Sequence, residues 1–425
     1  MMKRGPIVIL IAAVTIAAAS SVRAAVADPA LSAAQLMEIA VEMNPQIKAM
    51  RAQWMAAVHS IRQNYAPADP MFSFLNVDSP KNPFVGATDQ SYGVSQSLQF
   101  PGEALLQADQ SRRAAEIARL TYEAAMRDLR AQVETSYYQS LLDDALGQVN
   151  QEMIASLTQV LKVTQVAYSA NQVTQTDFIS AEFDLTNQRL AQDQQQVARA
   201  NDRTTLNQLI YRRPDEALNL DETLKLEPLT APLDQLVERA SQVRQEILET
   251  ALTEKNNATA LTLAKMEYLP NYTIGYEFDH FLLASAAPTA TALQDHSLFF
   301  TLNVPIFFWV KQREDVTRAN YDLEAARDNA ALIRSQTAAS VTMLYRTAQI
   351  SYRSATVYHE TLIPLSRQDF QVALVAYQSG KIDFVTLVGA LQRAFNARIG
   401  YLRAINQFLA AEIALEQAIG GPVSK

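Results

Sequence analysis

An internal repeat constrains the fold of this chain more than any other feature of its sequence. The pattern between Ala34 and Tyr211 recurs, with little identity, between Asp234 and Ile419. Each copy starts with a helix, passes through two alternating, strand-like runs, and continues into a very long helical stretch that turns and comes back. A repeat of this length means that the fold is built from two equivalent units. Each unit combines a short β-hairpin with a helical hairpin far longer than a globular domain needs.

The first residues read as a secretory signal. Lys3 and Arg4 give a positive start, an apolar core runs from Ile7 to Ala19, and Ala25-Val26-Ala27 fits a small-residue cleavage site. We expect the mature chain to leave the cytoplasm as one integrated fold. The expected boundaries are a signal sequence over 1–27, a first unit over 28–220, a connector over 221–233 and a second unit over 234–425.

Composition excludes several classes of protein. The chain has no cysteine, so it forms no disulfide and has no thiol nucleophile or cysteine metal site. Removal of the signal, which carries Lys3, Arg4 and Arg23, changes the net charge from −8 to −11. A chain this acidic is not expected to bind nucleic acid. Glycine is scarce, and good helix formers fill the long stretches, so the chain is expected to be mainly helical.

Two very long helices are predicted, one in each unit. The first, Glu103 to Val166, holds no proline, and apolar residues recur along it at steps of three and four. The second, Lys311 to Tyr377, has the same spacing, which is typical of a coiled-coil seam. Pro364 lies inside it and should bend the helix or break it locally. Returning helices are expected over Thr176–Tyr211 and Asp383–Ile419. Because a two-helix hairpin cannot bury such a seam alone, neighbours must cover it.

Four segments alternate with period two. Tyr92–Phe100, Tyr272–Asp279 and Leu298–Ile306 place aromatic and aliphatic residues on one face and mostly small or polar residues on the other, and Met71–Val77 is a weaker fourth. This alternation is typical of a transmembrane β-barrel with a wet interior. A soluble sheet with one buried face alternates in the same way. The secretory signal favours the barrel.

Four strands cannot close a barrel around water, so we expect several copies of the chain to share one. Three copies would give twelve strands, which lies in the range of known barrels. The loops over Asp78–Asp89 and Phe281–Asp295 would face outward. The predicted fold is therefore mainly α with a small β part. In this prediction, long α-helical hairpins would form an α-barrel continuous with a twelve-stranded transmembrane β-barrel in a homotrimer.

Three segments carry a resemblance to a known family. They are the strand end Val94–Gly102, the segment Leu269-Pro270-Asn271-Tyr272 and the helix turn Tyr377–Asp383. Together with the repeat, they resemble the TolC-type outer-membrane efflux factors over essentially the whole mature length. Phe100-Pro101-Gly102 is similar to the branch often tied to heavy-metal efflux. The resemblance implies a passive exit duct in the outer membrane of a Gram-negative cell, in contact with its lipid. Such a duct would need no cofactor. A periplasmic adaptor protein and an inner-membrane pump would dock at its helical tips.

The resemblance also implies an iris-like gate at these tips. At the family's basic gate position this chain has Ile382, and at its acidic ring it has Thr386 and Gly389, with Asp383 nearby. The salt-bridge lock of the family is therefore not expected in its usual form. The expected gate, tip and adaptor-docking residues are Tyr168, Asn171, Asp177, Tyr377, Gly380, Ile382, Asp383, Thr386 and Gly389.

The acidic tip residues have two interpretations. A ring of Asp177 and Asp383 side chains would form a negative constriction that favours cations. Each aspartate would otherwise cap the returning helix that it precedes or begins. Capping is favoured for Asp383, and both interpretations stay open for Asp177. Tyr168 and Tyr377 occupy equivalent positions before the two turns and either pack the turn or, for Tyr377, take part in the gate.

The sequence shows no catalytic constellation. His59 and His359 sit in helical stretches, and Asp279-His280 and Asp295-His296 flank the second loop with too few ligands for a metal site. Asp143-Asp144 on the first long helix is expected to be solvated.

Two other classes of protein share some of these sequence features. A soluble periplasmic coiled-coil adaptor of an efflux pump would lack the alternating aromatic strands. An enzyme built on the barrel would need a nucleophile near the strand histidines, and none is evident. The cargo of a duct, whether metal ion or drug, is left open.

Overall fold

The structure, a computed structural model, describes residues 30–76, 87–221, 224, 226–282 and 292–423. The expected signal sequence lies outside these residues, as do residues 78–86 and 283–291 of the two expected outward loops. In the described part of the chain the same order of elements occurs twice, which confirms the predicted repeat and the mainly helical fold with a small β part. None of the helices described here is long and apolar enough to span a membrane.

Each unit has two short helices, a β-hairpin and a long helical hairpin. The first unit contains α1 (Ala33–Met43), α2 (Pro45–Tyr65), β1 (Met71–Asn76), β2 (Ala87–Leu98), α3 (Glu103–Ser169) and α4 (Gln175–Leu209). The second contains α5 (Leu233–Val243), α6 (Gln245–Met266), β3 (Asn271–Leu282), β4 (Ala292–Asn303), α7 (Lys311–Val357), a π turn (Tyr358–Leu362), α8 (Ile363–Gln378) and α9 (Phe384–Ile419).

Local sequence explains how each unit begins. Ser32 caps α1 by accepting a hydrogen bond from the amide of Gln35, whose side chain accepts one from the Ser32 amide. Asn44 ends α1 in an extended conformation and caps α2, whose first residue is Pro45. Proline suits this position because its missing amide hydrogen would be unpaired anyway. Arg244 makes the same extended break between α5 and α6.

The helical hairpins are long, and buried apolar residues along their contact lines hold their helices together. With 67 residues, α3 is about 100 Å long at 1.5 Å per residue. It packs against both α4 and α9, so the two hairpins of one chain lie side by side. Buried apolar residues from these three helices form a common cluster: Val149, Leu157, Val160, Ala181, Leu185, Phe384, Val388, Leu391 and Phe395.

The second long helix is interrupted by a π turn directly before Pro364 while its backbone stays helical, which is a local break at the predicted place. Because proline has no amide hydrogen, the carbonyl one turn earlier loses its usual donor, and the π turn lies directly before it. The Tyr358 ring lies against Gly400 of α9, where an added Cβ would come within 2.5 Å of the ring. His359 stacks on Tyr401, with ring centroids 5.2 Å apart. The break is therefore packed against α9.

The four strands form one antiparallel sheet in the order β1-β2-β3-β4, and their register confirms the predicted alternation. One row across the strands reads Phe72-Val94-Tyr276-Leu298, and the next reads Ser73-Gly93-Glu277-Ser297. The apolar face is open, since Phe72 is 82% and Leu298 is 80% exposed. Within the described chain, β1 and β4 each pair on one side only. β2 begins at Ala87, earlier than the expected start at Tyr92.

Candidate functional site at the helical tips

Two tight turns close the helical hairpins and share one geometry. The first tip joins α3 to α4 over residues 170–174, and the second joins α8 to α9 over residues 379–383. Asn171 and Gly380 have φ angles of 55° and 68°, the left-handed conformation that ends many helices. In each turn the next amide donates back to a carbonyl in the last helical turn: Gln172 to Ala167 (2.8 Å) and Lys381 to Ala376 (2.9 Å).

The helices that leave the two tips are capped by a threonine and an aspartate. In the first tip Asp177 Oδ2 accepts hydrogen bonds from the amide (3.0 Å) and the hydroxyl (2.8 Å) of Thr174. In the second tip Asp383 Oδ1 accepts from the amide of Thr386 (2.9 Å). Hydrogen bonds from the Thr386 side chain and then its backbone hold the pKa of the Asp383 carboxyl below its usual value. Capping is therefore confirmed for Asp383 and is also what Asp177 does in the single chain.

The two tip tyrosines occupy equivalent positions but differ in their surroundings. The Tyr168 ring stacks on Phe178, with centroids 5.9 Å apart, and is 41% exposed. The Tyr377 ring meets Phe384 edge-on at 6.5 Å. Its hydroxyl is buried and has no hydrogen-bond partner among the described residues. A buried hydroxyl without a partner is costly, so Tyr377 is the tip residue whose environment is least complete in one chain.

The gate candidates Ile382 and Gly389 have different surroundings at the second tip. Ile382 packs with Tyr377 around a small core that includes Leu387, which explains how the second tip tolerates an aliphatic residue. Gly389 faces Arg393, whose Nη1 would lie 3.4 Å from an added Cβ. The structure thus brings Tyr377, Ile382, Asp383 and Thr386 together at the second tip, while Tyr168, Asn171 and Asp177 form the first.

Two ion pairs near the tips were missed by sequence reasoning. Arg393 of α9 contacts Asp369 of α8 at 2.8 Å and so bridges the two helices of the second hairpin. Arg398 of α9 pairs with Glu152 of α3 and joins the two hairpins. The hydrogen bond from Arg398 lowers the pKa of the Glu152 carboxyl. Both pairs are substantially exposed, so each contributes little stability alone. Their partners lie far apart in sequence, and spacing gave no signal for them.

The histidines do not assemble a site in the described chain. His280 and His296 lie within β3 and β4, because β3 continues to Leu282 and β4 already begins at Ala292. The Nδ1 atom of His296 contacts the Tyr276 hydroxyl. The parts of the chain that are described contain no group of three or more histidine, aspartate or glutamate side chains able to hold a metal ion.

The described fold is found in solved structures at low identity. The outer-membrane channel OprN is 15% identical, with 92% of this chain and 91% of that chain covered and a TM-score of 0.77. CusC is 16% identical, with 92% of both chains covered and a TM-score of 0.78. VceC, an outer membrane protein of Vibrio cholerae, is 14% identical, with 92% of this chain and 97% of that chain covered and a TM-score of 0.76. These likenesses show that the chain has the fold of the α/β-barrel channels.

A sequence relative points in the same direction. The cobalt-zinc-cadmium resistance protein CzcC of Cupriavidus metallidurans is 22% identical over 117 residues. The match spans 28% of this chain and 28% of CzcC. It supports the likeness to the heavy-metal branch.

A family model described as outer membrane efflux protein matches residues 36–210 and 236–421, one segment in each unit. Members of this family are transport proteins of the Gram-negative outer membrane and do not form an enzyme family. Because the match covers most of both units, the chain belongs to the outer membrane efflux protein family.

Proposed function

We propose that this chain forms the homotrimeric exit duct of a tripartite efflux or type I secretion-like system. It passively exports small molecules or metal ions from the periplasm or the cytoplasm to the outside. The observation that carries the proposal is the sheet, which exposes an apolar face and leaves both outer edges unpaired within the described chain. Lipid gives unpaired backbone groups no hydrogen-bond partners, so a sheet in a bilayer must close. Three copies with four strands each close a twelve-stranded barrel.

Exposed aromatic residues support a placement of the sheet in the bilayer. Tyr65 precedes β1, Tyr268 precedes β3, and Phe307, Phe308 and Trp309 follow β4; all five are exposed. Tyrosine and tryptophan favour the boundary between lipid and water because they join an apolar ring to a polar group. These residues form an aromatic collar where the strands meet the helices, and the helices would extend from it into the periplasm.

Exposed seams on the helical hairpins support assembly with further copies. Phe183, Leu190 and Val197 follow one another at seven-residue steps on α4, and Leu365 and Val372 are seven apart on α8. A seven-residue apolar repeat is the spacing by which helices pack against helical neighbours. In the trimer, α4 of one copy would pack beside α8 of the next and continue the barrel as a helical tube.

The gate of the duct lies, in this proposal, at the two tips. A periplasmic adaptor docks there, an inner-membrane pump supplies the energy, and docking shifts a closed–open equilibrium of the tip helices. The hydroxyl of Tyr377, which has no partner in the described part of the chain, supports this assignment, because a second copy in the closed state would supply the missing hydrogen bond.

The cargo class that we favour is metal ions, because CzcC is named for cobalt, zinc and cadmium resistance. The sensitivity of a deletion strain to metal salts and to dyes separates metal from drug export. A soluble coiled-coil adaptor is the weaker alternative, since it would have no use for the exposed aromatic face. We propose no catalytic activity for the chain.

Disulfide cross-linking between edge strands tests the closed barrel. The chain has no native cysteine, so an introduced pair reports alone. Ser73 of β1 is changed to cysteine and combined in turn with cysteine at Phe299, Thr301 or Asn303 of β4, which scans the register between copies. The control pair joins Met71 and Ser95, which are partners within one chain.

Oxidation in the membrane should link one of the scanned combinations into two-chain and three-chain products. The control pair should oxidise within single chains only. If the control oxidises and every scanned combination stays a single chain, β1 and β4 of different copies are not neighbours and the barrel is not built in this way.

A further inference from the structure

The adjacent aspartates on α3 have opposite surroundings, which corrects the expectation that both are solvated. Asp144 is partly exposed and pairs with two cations of α4, Arg199 and Arg203, the latter at 3.0 Å. Asp143 is only 3% exposed. Successive helical residues point in directions about 100° apart, so one aspartate reaches the edge of the α3–α4 contact and the other enters it.

The buried carboxylate has one donor and one acceptor as neighbours. Gln195 of α4 donates a hydrogen bond from Nε2 to Asp143 Oδ1 at 2.9 Å. The other oxygen, Oδ2, is buried and receives no hydrogen bond from the described residues. The carboxyl group of Asp202, also on α4, lies within hydrogen-bonding reach of Asp143. Two ionised carboxylates only accept hydrogen bonds, so a contact between them needs a proton.

The charged groups around the pair do not replace that proton. On α3 the nearest is Asp144, which adds negative charge. On α4, Arg199 and Arg203 are both engaged by Asp144. On the α9 side, the pairs that flank the site are a hydrogen bond between Gln139 and Asn406, one turn before Asp143, and the Glu152–Arg398 ion pair more than two turns after it. A divalent metal would require more ligands.

We propose that Asp143 and Asp202 form a binding site for a single proton, which fastens α3 to α4 when it is bound and loosens the contact when it is lost. With the proton, one carboxyl donates to the other and Gln195 satisfies Oδ1. Without it, two negative charges face each other across a buried helix contact. Asp144 and its two arginines link the same helices through ion pairs, and the carboxyl pair forms a second, proton-dependent link.

The site should gain and lose its proton within the pH range that cells experience. Burial, followed by the hydrogen bond and the charge of Asp202, raises the pKa of Asp143 to about 7. Because the folded-state pKa lies above the ordinary value of 3.8, folding favours the protonated form. The stabilisation is complete below that ordinary value and is lost as pH rises through about 7. The site lies within one chain, some 26 residues before the end of α3, or about 40 Å from the first tip. It does not depend on how copies assemble.

Infrared difference spectroscopy of the purified full-length chain in detergent tests the site directly. Spectra at pH 5.5 and 8.5 compare the wild type with Asp143→Asn, Asp202→Asn and Glu412→Gln. The last is a control, because burial also raises the pKa of Glu412 to about 7 at a separate place. Each aspartate variant should lose one and the same protonated-carboxyl signal from the pH difference, and the Glu412 variant should keep that signal and lose another.

The melting temperature as a function of pH gives the second readout. Asparagine at position 143 can donate to Asp202 at every pH, so Asp143→Asn should melt a few degrees above the wild type at pH 8.5 and lose this advantage at pH 5.5. A folded Asp143→Asn or Asp202→Asn variant that retains the complete wild-type infrared signal overturns the proposal. So does a difference in melting temperature that is the same at both pH values. If Asp143→Asn does not fold, the half-buried Asp202 provides the deciding variant.

Discussion

Thr174 and Asp177 exchange three hydrogen bonds across the first turn of α4, one from the amide of Asp177 and two from Thr174. Asp383 and Thr386 occupy the same two positions at the start of α9 with their roles reversed, the acid as cap and the threonine three residues later. Both tips of the repeat are therefore closed by the same pair of residue types. Each tip aspartate is therefore held by hydrogen bonds at the start of its helix, independently of any role in a gate.

The Thr174–Asp177 exchange should be measurable as local stability. Thr174→Ala should weaken the start of α4 by about 1 kcal/mol, the usual cost of removing such a cap. Asp177→Ala should cost less in a chain that already carries Thr174→Ala, because the two residues act on each other. Hydrogen exchange of the amides at residues 175–178 reports the change. Thr186→Ala is the control, since its hydroxyl donates to the carbonyl of Glu182 within the same helix. Additive effects of the two tip variants would show that the exchange does not form.

The two tip tyrosines should differ in their effect on the closed channel. Tyr377→Phe removes a hydroxyl that a second copy is proposed to satisfy, at about 0.5–1.5 kcal/mol per copy. We therefore expect a higher conductance of the closed state in planar bilayers. Tyr168→Phe changes an exposed, stacked ring and should leave the conductance unchanged. Equal conductance of wild type and Tyr377→Phe would remove this hydroxyl from the gate.

Two glycines in long helices should respond to alanine in opposite ways. Gly147 has open space around it on α3, so Gly147→Ala should stabilise the chain by about 0.5–1 kcal/mol through helix propensity. At Gly400, the added Cβ would come within 2.5 Å of the Tyr358 ring, so Gly400→Ala should destabilise it by about 1–3 kcal/mol. Thermal unfolding of both variants checks the signs. A neutral Gly400→Ala would mean that the π turn is not packed on α9 as described.

Two glutamates should change stability with pH in opposite directions. Burial and the charges of Glu416, Glu227 and Glu134 raise the pKa of Glu412 to about 7, so its stabilising effect is lost as pH rises through 7. Burial alone would raise the pKa of Glu246, but Arg127, 2.6 Å away, brings it down to about 2.

The stabilisation from Glu246 is therefore present above its ordinary value of 4.5 and is lost as pH falls towards 2. The melting temperature of Glu412→Gln should rise relative to that of the wild type as pH rises from 5 to 8. The melting temperature of Glu246→Gln should lie furthest below that of the wild type at neutral pH and approach it in acid. The same trend in both variants would contradict these assignments.

The position of the aromatic collar can be read from tryptophan fluorescence. The chain has two tryptophans: Trp309 in the collar, and Trp54 on α2, where it stacks on Tyr122 at 5.8 Å. In a Trp54→Phe variant, brominated lipids should quench Trp309 strongly. In a Trp309→Phe variant, the same lipids should leave Trp54 nearly unchanged. Quenching of Trp54 alone would place the lipid around the helices and not around the sheet.

Sequence reasoning located the parts of the fold that depend on local periodicity. The first long helix was expected over Glu103–Val166 and ends at Ser169, because its apolar spacing is uninterrupted. Pro364 marked the break in the second because a proline inside a helix removes a backbone hydrogen bond and crowds the preceding turn. The start of β2 was missed since Thr88, Asp89 and Gln90 show no apolar alternation.

Features that depend on how two helices align could not be predicted in this way. Asp143 and Asp144 are indistinguishable as sequence, and only the register of α4 against α3 decides which of them is buried. The Asp369–Arg393 pair likewise depends on the angle at which α8 returns as α9. The tip residues came from a resemblance, and their gating role remains a prediction.

The mass of the purified complex tests the central claim most directly: that one chain supplies a third of a closed cylinder. Native mass spectrometry of detergent-extracted protein should give a complex of three chains, with no monomer that is stable without detergent. A uniform single-chain species in plain aqueous buffer would contradict the claim, because a lone copy of this sheet has two open edges and an apolar face that water would contact.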